Sequence, residues 1–257
     1  MAEILHKGID VSYANGRIDW EKIKNKIDFA IIRCGFGGDF VSQDDAQFFN
    51  NVKGCRDNGI PFGIYLYSYA TTIQKAESEA AHTLRLLKGI VPSMPVFYDL
   101  EESRISSLGK TKILSIAKTF CNVIENAGYV CGIYANKNWF ENYLTDSWYD
   151  TKYKWLAQYN NTVTYKGRYD IWQYSQTGRI DGFSGNFDLN YCYFSIIGGD
   201  VDNDGKVTAS DARKVLRAAA DLEELSGQSL LNADIDNDGT VSATDARSIL
   251  RKAAGLD

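Results

Sequence analysis

Eight short apolar segments in the first 192 residues constrain this chain more than any other feature. They are 8–12 (GIDVS), 29–35 (FAIIRCG), 62–70 (FGIYLYSYA), 95–101 (PVFYDLE), 130–135 (VCGIYA), 154–159 (KWLAQY), 170–175 (DIWQYS) and 185–191 (GNFDLNY), each with the length and residue bias of a β-strand. Between the earlier ones, apolar residues recur at helical spacing over 19–26, 44–58, 71–88, 110–126 and 138–143, with Gly59, Gly89 and Gly128 as natural stops. Strands that alternate with helices imply parallel pairing, because a parallel neighbour is reached only through a crossover. Eight strands with about five helices therefore predict an α/β fold, an irregular (β/α) barrel that lacks helices in its last third. Such a barrel gathers the C-terminal ends of its strands at one mouth.

Charge marks a boundary. Residues 1–199 contain 21 Lys+Arg and 21 Asp+Glu, whereas 200–257 contain 7 and 12, so the small C-terminal segment carries the whole net charge of -5. The expected division is a large domain over 1–194, a short linker over 195–199 and a small domain over 200–257. No basic stripe points to nucleic acid, and no apolar run approaches the ~18 residues of a membrane span. Cys34, Cys55, Cys121, Cys131 and Cys192 show no CxxC spacing, which argues against a zinc site or a redox pair; their odd number leaves at least one free or paired between chains. With His6 and His82 as the only histidines, HExxH zinc chemistry is excluded and a Ser-His-Asp triad disfavoured. The opening MAEILHKGID has no charged n-region, apolar h-region or cleavage site, so no secretory signal is visible in it.

The C-terminal segment is duplicated. DVDNDGKVTASDARKVLRAAADL at 200–222 recurs as DIDNDGTVSATDARSILRKAAGL at 234–256, an offset of 34. Each copy opens with a calcium-type loop: Asp200, Asp202, Asp204, Gly205 and Asp211 at positions 1, 3, 5, 6 and 12, then Asp234, Asp236, Asp238, Gly239 and Asp245. Lys206 and Thr240 would add their main-chain carbonyls at position 7. Carboxylates at this density repel one another without a cation, and hard oxygen donors suit Ca²⁺. Position 12 is Asp rather than the Glu of an EF-hand, and only exiting helices, about 212–222 and 246–254, are implied. The segment closely resembles the dockerin family of type I. That resemblance implies a small all-α domain holding two Ca²⁺ and docking onto a cohesin module of a scaffold protein. It places the recognition positions on Ala209, Ser210 and Arg217 in one copy and Ala243, Thr244 and Arg251 in the other.

In the larger part, PVFYDLEE ends in Asp99 and Glu101, two positions apart and so on one face if the strand continues. Paired carboxylates serve glycosidic bond cleavage, one protonated to donate to the leaving oxygen and one ionised to stabilise positive charge at the sugar. Acids also follow strands as helix caps and turn formers, and this competes for any one of them. Asp10 stands near the end of the first strand and Asp188 in the eighth, whose neighbours in a closed barrel are the seventh and the first, so four acids are expected in one cleft. Tyr13, Tyr65, Tyr67, Tyr134, Trp172 and Tyr174 belong to the same strand ends and are candidates for stacking on sugar rings, with a core role as the alternative for each. Arg33, inside an apolar strand, needs a carboxylate partner if buried, and one of the four acids is the candidate.

Together, KGIDVSYANGRIDW, FAIIRCGFG, FGIYLYSYA, PVFYDLEE, CGIYAN, WLAQY and DIWQYSQTGRIDGFSGNFDLN resemble glycoside hydrolase family 25, the N-acetylmuramidase lysozymes, across residues 6–192. The resemblance implies catalytic roles for Asp10, Asp99, Glu101 and Asp188, and hydrolysis, with retention, of the β-1,4 bond between N-acetylmuramic acid and N-acetylglucosamine in peptidoglycan. No catalytic cofactor is expected. A secreted, extracellular protein, monomeric apart from its scaffold, follows from the same likeness. An endo-acting chitinase or N-acetylglucosaminidase is the alternative enzyme, and a catalytically silent wall-binding module on a scaffold is the alternative outside catalysis.

Overall fold

A computed structural model describes residues 3–256. The chain divides into two compact units, residues 1–193 and 194–257. The larger unit is a closed barrel of eight strands in sequential order: β1 (His6–Val11), β2 (Phe29–Phe36), β3 (Phe62–Tyr67), β4 (Val96–Asp99), β5 (Cys131–Asn136), β6 (Tyr153–Ala157), β7 (Ile171–Gly178) and β8 (Phe187–Cys192). The helices of this unit are α1 (Trp20–Ile23), α2 (Phe48–Asp57), α3 (Ile73–Leu86), α4 (Ser103–Ser106), α5 (Lys110–Asn126) and α6 (Lys137–Asn142). All five expected helices form. The four-residue α4 is additional, too short for its periodicity to register. The helices end where glycine permits a left-handed turn, with φ of 64° at Gly59, 74° at Gly89 and 89° at Gly128.

One topological detail departs from the expected parallel barrel. β1 through β7 pair in parallel, but β8 is antiparallel to both β7 and β1. The connection from Gly178 to Phe187 carries no helix, and a link that short turns a strand back instead of carrying it across the barrel. The inversion decides where β8 delivers its side chains. Asp188, near the start of β8, stands at the same mouth as Asp10 and Asp99, which lie toward the ends of their strands.

Side chains on the outer strand faces pack with the helices into the main core, which includes Ile9, Ile32, Ile64, Ile133 and Leu156. Inside the barrel, Trp155 is the hub: the rings of Tyr65, Phe97 and Tyr134 surround it at centroid distances of 5.6, 5.4 and 4.4 Å. Glycines make that interior fit. A Cβ on Gly132 would sit 2.5 Å from the Phe97 ring and 2.9 Å from the Tyr153 carbonyl oxygen. His82 is buried with its ring nitrogens against the Gly37 carbonyl and Asp44 at 3.0 and 2.8 Å, a structural position. The five cysteines are buried thiols, and those of Cys121 and Cys131 are in hydrogen-bond contact at 2.9 Å.

The smaller unit contains α7 (Ala209–Ala219), α8 (Gly227–Ala233) and α9 (Ala243–Ala253). The exiting helices begin earlier than the spacing suggests, because Thr208 and Ser242 cap them and Asp211 and Asp245 complete each capping box. Helix α8 enters the second loop, so exiting helices are not the only ones here. Residues 195–199, expected as a linker, pack within this unit: Asn232 Nδ2 donates to the Ser195 carbonyl and Lys252 Nζ to that of Gly198.

Gly132→Ala is expected to destabilise the barrel by about 1–3 kcal/mol through overpacking against Phe97. All five tryptophans (Trp20, Trp139, Trp148, Trp155 and Trp172) lie in the barrel. Urea unfolding followed by their fluorescence therefore reads this change without interference from the smaller unit.

Candidate active site

The site is built where β1 meets β8. Asp10 and Asp188 are paired in register across that junction. Asp10 is buried, and its Oδ2 accepts from Gln173 Nε2 and Asn190 Nδ2, each at 2.8 Å. Both amides are oriented from behind. Asn190 Oδ1 accepts from Trp155 Nε1 at 2.8 Å, and an indole nitrogen can only donate, so the Asn190 amide nitrogen must face Asp10. Gln173 Oε1 accepts from the hydroxyls of Tyr134 and Tyr159 at 2.9 and 3.0 Å.

Asp99 enters from the last position of β4, where its carbonyl accepts from Ser68 N–H at 3.0 Å. The strand assignment stops there, although Leu100 N–H still donates to the Tyr134 carbonyl at 2.9 Å. The turn leading into α4 brings Glu101 close enough for its charge to act on Asp99. Glu102 does the capping work acids often do after strands: it accepts from Arg104 N–H and pairs with Arg104 Nε at 2.8 Å.

Four carboxyls in one partly desolvated cleft cannot all ionise freely. Burial raises Asp10 from 3.8 to about 8, reinforced by the charge of Asp188 and opposed by the Asn190 and Gln173 bonds. Asp188 is also raised by burial. Burial lifts Asp99 well above the carboxylate range, the charges of Glu101 and Asp10 add to this, and Arg33 opposes it. Glu101 is raised by burial and then by Asp188. All four acids thus lie above their ordinary values.

Arg33 is paired with Asp45 and not with any of the four acids: Arg33 Nε donates to Asp45 Oδ2 at 2.8 Å, and Asp45 also accepts from Tyr13 N–H. The guanidinium lies 4.7 Å from the centre of the exposed Tyr13 ring, and Arg33 Nη2 is buried without a hydrogen-bond partner. Tyr65 and Tyr67 are half-buried on β3, while Tyr134 is buried with its hydroxyl committed to Gln173. Trp172 and Tyr174 are not in this cleft. Gln173 takes the inward position on β7, and alternation turns its two neighbours to the outer face, where both contact Tyr191. Residues that strand-end reasoning missed are Gln173, Asn190, Asp45 and Tyr159. The first two share a signal, since Asn190 is two residues beyond Asp188 and Gln173 pairs with Asn190 in register.

In the smaller unit, one carboxylate oxygen from each of Asp200, Asp202 and Asp204 lies within 4.8 Å of the others, as do those of Asp234, Asp236 and Asp245. The two loops repeat their backbone: Asn203 and Asn237 have φ of 60° and 57°, Gly205 and Gly239 of 85° and 91°. Convergent carboxylates in such loops fit a hard divalent cation. Asp238 accepts from the Thr240 N–H and hydroxyl, and Asp211 from the N–H groups of Val201, Asp202 and Thr208. Lys206 N–H donates to Asp204. Ala209, Ser210 and Arg217, and their equivalents Ala243, Thr244 and Arg251, are exposed on α7 and α9. Leu216 and Leu250, also equivalent, are 46% and 43% exposed.

Residues 9–183 match the family model for glycosyl hydrolases family 25. The chain belongs to that family. It is a glycoside hydrolase, in a family of lysozymes and peptidoglycan hydrolases. Residues 198–252 match the dockerin type I domain, a kind of domain that generally binds calcium. Among relatives, the autolytic lysozyme of Clostridium acetobutylicum is 24% identical over 236 residues, covering 86% of this chain and 69% of that protein. The modular autolysin LytC from Streptococcus pneumoniae superposes with a TM-score of 0.66 at 29% identity; the match covers 73% of this chain but 46% of LytC. A family 25 glycosyl hydrolase from Bacillus anthracis shares the fold, with a TM-score of 0.64, 21% identity and coverage of 76% and 92%.

In this family 25 domain the raised Asp10 links folding to pH. The folded state holds a proton that the unfolded chain releases near 3.8, so the stabilisation is full below that value and is lost as pH rises through about 8. Asp10→Asn should flatten the fall in barrel Tm between these limits. A fall as steep in the variant as in wild type would refute the assignment.

Proposed function

We propose that this protein is an N-acetylmuramidase that cleaves the β-1,4 bond between N-acetylmuramic acid and N-acetylglucosamine in peptidoglycan with retention, assisted by the substrate's own acetamido group. The observation that carries the reading is the four-acid cleft of a family 25 barrel in which burial and the charge of Asp188 raise Glu101 above its ordinary value. A general acid works best when it still holds its proton near the operating pH. Glu101 donates that proton to the glycosidic oxygen as the bond to the anomeric carbon breaks. The acetamido carbonyl oxygen closes onto that carbon, giving a positively charged oxazolinium ring. Water, losing a proton to Glu101, then opens the ring, and two inversions leave the configuration retained.

Asp99 is the residue that orients the acetamido N–H and balances the positive charge of the ring. Burial holds its carboxyl up in the free enzyme, and the developing cation, together with Arg33, favours its ionised form as the reaction proceeds. Asp10 and Asp188 position the sugar, and the charge of Asp188 helps Glu101 keep its proton. Tyr13, Tyr65 and Tyr67 offer aromatic surface beside the acids. Digestion of peptide-free glycan strands should release products with reducing N-acetylmuramic acid, first as the β-anomer, and Glu101→Gln should lower kcat about 10²- to 10⁴-fold. Reducing N-acetylglucosamine ends would instead establish the other glycosidase class.

The dockerin-type unit is read as a calcium-dependent plug for a cohesin module, which makes the enzyme an extracellular, scaffold-borne one. One Ca²⁺ in each loop would draw the aspartates together and fix α7 and α9. The two exposed faces, one with Ala209, Ser210 and Arg217 and the other with Ala243, Thr244 and Arg251, are near repeats, so either should dock. Charge-altering substitution of one face is expected to leave cohesin binding intact, and substitution of both, or chelation of calcium, to abolish it. Complete loss on changing a single face would contradict the dual mode.

A further inference from the structure

The outer face of β7 and β8 carries a second aromatic cavity. Tyr174 and Tyr191 stack with centroids 4.1 Å apart and planes 10° from parallel, and Trp172 tilts against each at 5.7 Å. With Tyr159, Asn160 and Asn161 from the segment after β6, they line a cavity of about 540 Å³. Among the described residues no α-helix lies between β6 and β7 or between β7 and β8, so this stretch of sheet lacks the cover that helices give β1 to β5.

The lining selects a ligand class. It contains no Asp, Glu, Lys or Arg, so recognition there rests on ring faces and neutral polar groups, with any carboxylate of the ligand left facing solvent. Flat aromatic surface matches the C–H faces of pyranose rings, and the side-chain amides and hydroxyls around it, Ser175 and Thr177 included, match sugar hydroxyls and acetamido groups. Tyr159 joins this cavity to the catalytic cleft. It is 47% exposed and lines the outer cavity, yet its hydroxyl bonds Gln173 at 3.0 Å and feels the charges of Asp188, Glu101 and Asp10. A polymer leaving the cleft over Tyr159 would enter the outer cavity directly.

We propose that this cavity is a secondary glycan subsite that holds a distal stretch of the amino-sugar strand being cut in the cleft. The inference rests on the reading of the cleft as a glycan-cleaving site. It makes long strands better substrates than short ones, because a longer strand fills the outer cavity more fully while it is held in the cleft. One lost ring-stacking contact should weaken the hold on a long strand by about tenfold.

The test compares peptide-free glycan strands with a tetrasaccharide fragment, using the full chain with Tyr174→Ala or Asn161→Asp. Asn161 is exposed, so its change does not threaten folding, and it places a negative charge beside a strand that carries lactyl carboxylates. In both variants the strand-to-tetrasaccharide ratio of kcat/KM should fall about tenfold, through KM. The Glu101→Gln protein should lose strand affinity to the same extent when either change is added. An unchanged ratio and unchanged strand affinity in Asn161→Asp overturn the subsite. If wild type cleaves neither glycan while Asn161→Asp still weakens strand binding, the reading of the cleft falls and the subsite stands.

Discussion

The pair of hydrogen bonds from Gln173 and Asn190 to Asp10 is the interaction on which the rest of the site depends. Each amide comes from one of the last two strands, and Asp10 comes from the first, so the bonds are formed only when the barrel closes. Trp155, buried at the centre, fixes Asn190 from below and is itself surrounded by Tyr65, Phe97 and Tyr134. Packing of the barrel interior and positioning of the first acid are thus one structure. The inverted β8 completes it, because only an antiparallel closing strand presents Asp188, close to its start, at the mouth.

The electrostatic consequence is a cleft that retains protons. Burial is the leading cause at Asp10, Asp99, Glu101 and Asp188; the charge of a neighbouring acid adds to it at the first three, and a hydrogen bond with Asp10 opposes it at Asp188. Cooperation of this kind is what an acid catalyst requires: a neutral donor at a pH where an isolated carboxyl would be ionised. Arg33, which is held by Asp45, opposes the rise at Asp99.

Much of this was legible in the amino-acid sequence. The eight strands follow from apolar runs of strand length, and the duplicated DxDxDG loops announce themselves because few other needs place carboxylates so densely. What escaped did so for identifiable reasons. The direction of β8 depends on how far a helix-free connection can reach, which periodicity does not report. The place of Trp172 and Tyr174 near a strand end points to the mouth, whereas the inward register of β7 belongs to Gln173 and is fixed by its partners across the barrel. Arg33 has Asp45 beside it because the loop after β2 folds back onto the strand, a contact that local patterning does not encode. In the smaller unit, Asp211 and Asp245 serve as helix caps, so the helices start earlier than loop counting suggests.

In the mechanism proposed, closure by the inverted β8 places Asp188 where its charge helps Glu101 keep its proton. A carbon-13 titration of the Glu101 carboxyl, in wild type and in Asp188→Asn, addresses this without relying on activity. The wild-type midpoint should lie above the ordinary 4.5, and it should move downward when the Asp188 charge is removed. A midpoint at the ordinary value, or the same midpoint in both proteins, would contradict the account.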